Sequence, residues 1–173
     1  AGCVTMRVTA SGSNSGSLEA SSASLRTDLL GALLTIPDVQ VGVAATAEFP
    51  VNPYGNTMDQ PFRGIQEPTS SVETAQRGVG EARIQQGGDG DDAMVEGIAS
   101  LVGLPVHPQG VAMSCSAGRV AGGCWRPGAR RVIVLFSDSS FHNGPLATGE
   151  GLRAPYMGIS PAPAEWPAVL TAM

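Results

Sequence analysis

The chain sets short apolar runs between long polar, glycine-rich stretches, and the runs fall into two periods. Residues 3–9, CVTMRVT, alternate and are rich in β-branched side chains, which predicts a strand. SGSNSGS (11–17) follows as a turn. Over 18–34, Leu18, Leu25, Leu29, Leu30, Leu33 and Leu34 recur at mixed spacings of three and four, an amphipathic helix that ends before Pro37. VQVGVAATAEF (39–49) reads as a second strand, with Gly42 marking the close approach of a neighbouring backbone. PVNPYGNTMDQPF (50–62) is loop, or a short edge strand plus loop.

Ser70 or Ser71 caps a helix whose apolar positions are Val72, Ala75, Val79 and Ala82. QQGGDGDD (85–92) breaks it, and 92–103 is a further helix buried through Met94, Val95, Ile98, Leu101 and Val102. A long Gly-rich excursion then leads to RRVIVLF (130–136), apolar on both faces as a central parallel strand is. SPAPAEWPAVLTAM (160–173) starts a last helix after Ser160 or Pro161. This order predicts an α/β fold, a Rossmann-like three-layer sandwich with a mostly parallel central sheet flanked by helices. Residues 131–137 are expected at its centre and 3–9 beside them. In such sheets ligands bind at the carboxyl ends of the strands.

Composition narrows the picture. A length of 173 residues suits one domain, and 42% hydrophobic residues are enough for a packed core. A net charge of −5 argues against nucleic acid or an anionic membrane as partner, and no apolar run reaches the length of a membrane span. Cys115 and Cys124 flank SAGRVAGG (116–123), which reads as a disulfide closing a surface loop; a metal site would want tighter pairs or added histidines. Cys3 is then left over. Every cationic side chain is Arg, Ser is abundant, and with the expected disulfide this predicts a secreted or cell-surface protein. Beginning at Ala1 without signal peptide or initiator Met, the chain reads as a processed or excised segment.

The loops expected at the carboxyl edge carry the candidate chemistry. They are Thr9-Ala10-Ser11-Gly12-Ser13, then Gly87-Gly88-Asp89-Gly90-Asp91-Asp92, then Ser137-Asp138-Ser139-Ser140. Singly, each is an ordinary turn or cap; together they offer the oxygen ligands that hard divalent cations such as Mg²⁺ prefer. No Gly-x-Ser-x-Gly elbow and no phosphate-cradling loop with a following Lys occurs, so the sequence does not predict an enzyme. His142 is the nearest candidate for acid–base work but reads as a ring hydrogen-bonded to the loop backbone beside Asn143-Gly144-Pro145. His107 reads as plain loop, Trp125 and Trp166 as packing anchors, and Tyr54 as a turn residue.

SLRTDLLGAL, GVAATAEFPVNPYG, GGDGDDAMVEGI and WRPGARRVIVLFSDSSFHNGP give the chain a resemblance to von Willebrand factor type A domains, particularly the integrin β I-like branch and secreted bacterial proteins with similar loops. The resemblance runs from about residue 4 to the end and implies one domain over 1–173, lacking the final strands such domains carry. It also implies a metal-ion-dependent adhesion site: Ser11 and Ser13 from the first loop, Asp92 with Asp89 close by from the second, and Asp138 from the third. Thr9 falls where the family has its leading Asp, so the implied Mg²⁺ or other divalent cation is held weakly or not at all. The implied function is an extracellular adhesion or protein-binding module whose protein ligand brings an acidic residue to the metal at the carboxyl edge. The alternative is a structural subunit of an extracellular assembly, self-assembling and with a degenerate metal site.

Overall fold

In the computed structural model, residues 2–9, 24–82, 88–137, 139–145 and 155–173 are described. The elements are β1 (Gly2–Thr9), a π-helical turn (Leu25–Leu29) running into α1 (Leu30–Leu34), β2 (Gln40–Thr46), β3 (Arg63–Thr69), α2 (Val72–Glu81), β4 (Asp91–Asp92), α3 (Met94–Val102), β5 (Arg130–Phe136), β6 (Ser140–Phe141) and α4 (Trp166–Ala172). Four strands form one sheet in the order β3-β2-β1-β5, and β4 and β6 form a separate pair. β1 pairs in parallel with β2 and β5, whereas β3 is antiparallel to β2.

The expected three-layer sandwich on a mostly parallel central sheet is therefore not what the chain forms. Among the described residues there is no extended parallel central sheet: the strands are few and short, and the larger sheet is mixed. The run RRVIVLF, expected at the centre, is the edge strand β5, with Val132 38% and Leu135 37% exposed. The strand buried on both faces is β2. Val41 and Val43 pack with Leu30, Ala75 and Val79 from α1 and α2, and Ala44 packs with Phe62, Leu101, Met113 and Cys124. An unbroken apolar run thus signals a strand, but only packing decides which strand is covered on both sides.

Local signals fixed the helices better. The Ser71 hydroxyl accepts from the Thr74 N–H at 3.2 Å, satisfying an otherwise orphan donor at the start of α2. α3 ends at Gly103, whose φ of 114° is a conformation that favours glycine. α4 begins at Trp166, later than expected, because Pro161 and Pro163 hold the residues before them away from helical angles.

β3 was not foreseen as a strand, since RGIQEPT lacks apolar alternation. Its pairing is set from outside. The Gly64 N–H donates to Val111 O at 2.8 Å, and a Cβ at Gly64 would lie 2.3 Å from Met113 Cα, so only glycine lets the two backbones meet. The register with β2 shifts around Val43, the kind of irregularity that accommodates Pro68 near the end of an edge strand.

Cys115 and Cys124 are joined in a disulfide with Cα atoms 5.3 Å apart. Cys124 is fully buried against Ala44 and Leu101, while Cys115 is exposed. The loop is short, so replacing both cysteines by serine should cost near the lower end of about 2–4 kcal/mol. Thermal melts of the double variant measure this, and reduction of the native protein should produce a matching fall in Tm. No helix among the described residues is long and apolar enough to cross a membrane.

Candidate metal centre

β1 and β2 end in register, Thr9 opposite Thr46, so the chain leaving β2 is delivered at the carboxyl edge. Thr46 is buried, and its hydroxyl donates to Pro61 O and lies 3.2 Å from Ala93 O. The Ala93 N–H donates to Ala47 O at 2.9 Å, which ties the start of α3 to the end of β2. Gly88 N–H donates to Tyr54 O at 2.5 Å. Asp89 to Asp92 are thereby held against the residue that follows Ala47, which is Glu48.

Glu48 is fully buried. Its Oε1 accepts from the Tyr156 hydroxyl at 2.5 Å and from the Phe49 N–H at 2.7 Å. Among the described residues its Oε2 has no hydrogen-bond partner, and it lies 3.7 Å from His142 Nε2. His142, also fully buried, follows β6, and its N–H donates to Asp92 O at 3.1 Å. The same Nε2 lies 3.1 Å from Asp89 Oδ2, and the Asp89 side chain, 28% exposed, opens the group to solvent. One ligand atom from each of Glu48, Asp89 and His142 lies within 4.8 Å of the others, close enough to hold a metal ion.

The surroundings are aromatic. The Tyr156 ring lies 4.2 Å from that of His142, and Tyr54 meets His142 edge-on at 5.4 Å. Phe49, Tyr54, Tyr156 and Ala93 form the apolar cluster around this group. That dry wall pushes the Glu48 carboxyl from an ordinary 4.5 up to about 9: burial disfavours the charge, and the bonds from Tyr156 and Phe49 only partly offset it. Nearby Asp89 and Asp92 push the same way. Burial, with the Glu48 charge next, drives the Tyr156 hydroxyl well above its usual value.

Of the residues expected at the site, Asp89 is a member of the group. Asp92 lies beside it, fully buried, accepting from the Ser139 hydroxyl at 2.5 Å. Ser11, Ser13 and Asp138 lie outside the described residues. The sequence reading missed Glu48 altogether, and it gave His142 a backbone partner where the structure gives it two carboxylates. The signal for Glu48 was present: a lone carboxylate in VGVAATAEF, at the end of a run that packs on both faces.

Buried charges are retained where they are paired or coordinate metals. Glu48 Oε2 and His142 Nε2, 3.7 Å apart, are too far apart for a hydrogen bond but close enough to hold a metal ion between them. No protein-family model matches the chain, and no curated protein does.

Proposed function

We propose that the chain is a protein-binding module of a secreted or cell-surface protein, engaging its ligand at the carboxyl edge of the β1–β2 pair through a divalent cation held by Glu48, Asp89 and His142. The observation that carries this reading is Glu48 Oε2, a buried carboxylate oxygen with no hydrogen-bond partner among the described residues, grouped with two further side chains that could ligate a metal. Asp89 gives the centre its opening, so an acidic side chain of a ligand can complete the coordination from solvent. The resemblance to von Willebrand factor type A domains, carried by GGDGDDAMVEGI and WRPGARRVIVLFSDSSFHNGP, points the same way.

Immobilised protein is expected to capture aspartate-bearing peptides from a displayed library in buffer that contains divalent transition-metal cations. Chelator, or Asp89→Ala, should release them. Peptides retained equally in chelator and by Asp89→Ala would overturn the cation-mediated reading. A second reading, a structural subunit of an extracellular assembly, is favoured by the apolar edge strand β5, whose Val132 and Leu135 are exposed. On that reading chelator leaves the contacts intact and the protein self-associates.

A further inference from the structure

We infer that the cation at this centre is a transition-metal ion of the Zn²⁺ or Co²⁺ kind, bound through one imidazole nitrogen and two carboxylates, and not Mg²⁺ or Ca²⁺. The inference rests on the cation-bearing reading above and concerns which ion the residues select.

The donor set is the first reason. Mg²⁺ and Ca²⁺ are taken by oxygen ligands, whereas imidazole suits Zn²⁺ and its transition-metal neighbours. His142 Nε2 sits at the centre of the group, 3.1 Å from Asp89 Oδ2 and 3.7 Å from Glu48 Oε2. Ligand atoms bound at about 2.0–2.2 Å in tetrahedral or octahedral geometry stand roughly 3.0–3.5 Å apart. The His142–Asp89 separation already falls in that range, and the three ligand atoms, all within 4.8 Å of one another, would draw together around such an ion with His142 Nε2 as a direct ligand.

Orientation is the second reason. The Tyr156 hydroxyl and the Phe49 N–H both donate to Glu48 Oε1, which leaves Oε2 as the oxygen facing His142. Hydrogen-bonded supports of this sort fix how a ligating carboxylate is presented. The His142 ring packs against both Tyr54 and Tyr156, which also meet each other at 4.9 Å. Two carboxylates balance the charge of a divalent ion, and buried Asp92 lies beside them. Three protein ligands also leave a position open, as metal sites that bind an exogenous group do.

Metal-stripped whole chain is titrated calorimetrically with Zn²⁺, Mn²⁺, Co²⁺, Mg²⁺ and Ca²⁺, and the visible spectrum is followed with Co²⁺. Zn²⁺ and Co²⁺ should bind at one per chain, roughly 100-fold or more tighter than Mg²⁺ or Ca²⁺, with Co²⁺ giving d–d bands of mixed nitrogen–oxygen ligation. His142→Gln should lose most of the Zn²⁺ affinity and the Co²⁺ bands. Tyr156→Phe should weaken Zn²⁺ by about 10-fold, through presentation of Glu48 alone. His142 is buried, so each variant is first compared with the native protein by near-ultraviolet circular dichroism; if His142→Gln is misfolded, the Co²⁺ spectrum of the native chain decides on its own. Mg²⁺ or Ca²⁺ binding as tightly as Zn²⁺, with a Co²⁺ spectrum of oxygen ligands only, overturns the inference and leaves the cation-bearing reading standing. No binding of any of the five ions overturns both.

Discussion

Glu48→Gln is expected to stabilise the cation-free protein above about pH 5 and to flatten its pH dependence. The Glu48 carboxyl is raised from 4.5 to about 9 in the folded protein, chiefly by burial. A raised value means that the folded state holds a proton which the unfolded chain has already lost. The stabilisation is fully present below the unfolded value, near 4.5, and is lost as pH rises through about 9. Between those limits the native protein should lose on the order of 1 kcal/mol per pH unit from this group, a few kcal/mol by pH 8. Glutamine keeps a carbonyl oxygen for Tyr156 and Phe49 but never ionises, so the variant should escape that loss. Urea denaturation of both proteins in chelator at pH 5, 7 and 9 measures the effect. Parallel curves, with a constant gap between the two proteins, would show that Glu48 ionises in the fold without penalty. A saturating cation should reverse the order, because only the native chain presents a carboxylate at that position, and a ligand that binds only the folded state stabilises it.

What the sequence could and could not tell follows from the range of the contacts involved. α2 and α3 were legible because a Ser cap, an αL glycine and apolar positions three and four apart are all local signals. β2 was legible as a strand. Its place as the doubly covered strand was not, since VGVAAT offers small side chains and RRVIVLF looks more deeply apolar than it is buried. β3 carries no pattern of its own; the backbones of β2 and of the Val111–Met113 segment hold it. The acidic loop at Asp89–Asp92 stood out by composition, and the structure brings it to the end of β2. Glu48 did not stand out, because its partners lie 94 positions away at His142 and 108 away at Tyr156, a separation no periodicity reports. Glu48 nevertheless closes an apolar run in the sequence just as Asp138 does, a local signal present at both positions.

The largest loss of stability is expected from Trp125→Ala. Trp125 is fully buried, and its indole N–H donates to Leu101 O at 2.8 Å, bridging the disulfide loop to the end of α3. A Cβ added at Gly123 would lie 2.6 Å from the indole nitrogen, so the loop closes directly over the ring. Val120 and Trp125 exchange backbone hydrogen bonds at 2.9 Å in both directions, which fixes the side chain's point of departure. Removing the ring leaves a cavity that this tightly closed loop can fill only by moving, and the cost should be about 3–5 kcal/mol. Against a typical total of about 5–15 kcal/mol, that is enough to leave a weakly stable chain partly unfolded at 37 °C. Trp125→Phe keeps most of the apolar volume and loses one hydrogen bond, while Leu101 O still accepts from the Gly123 N–H at 3.1 Å. Its cost should be nearer 1–2 kcal/mol, about that of a hydrogen bond and a small void. The ring belongs to the Leu101–Cys124 side of the molecule, whereas the metal group is walled by Phe49, Tyr54 and Tyr156. The Phe variant should therefore bind Zn²⁺ as the native chain does while melting at a lower temperature. A Phe variant that melts normally but has lost the ion would mean that α3, whose start is tied to β2 through Ala93, transmits strain from one end of the molecule to the other.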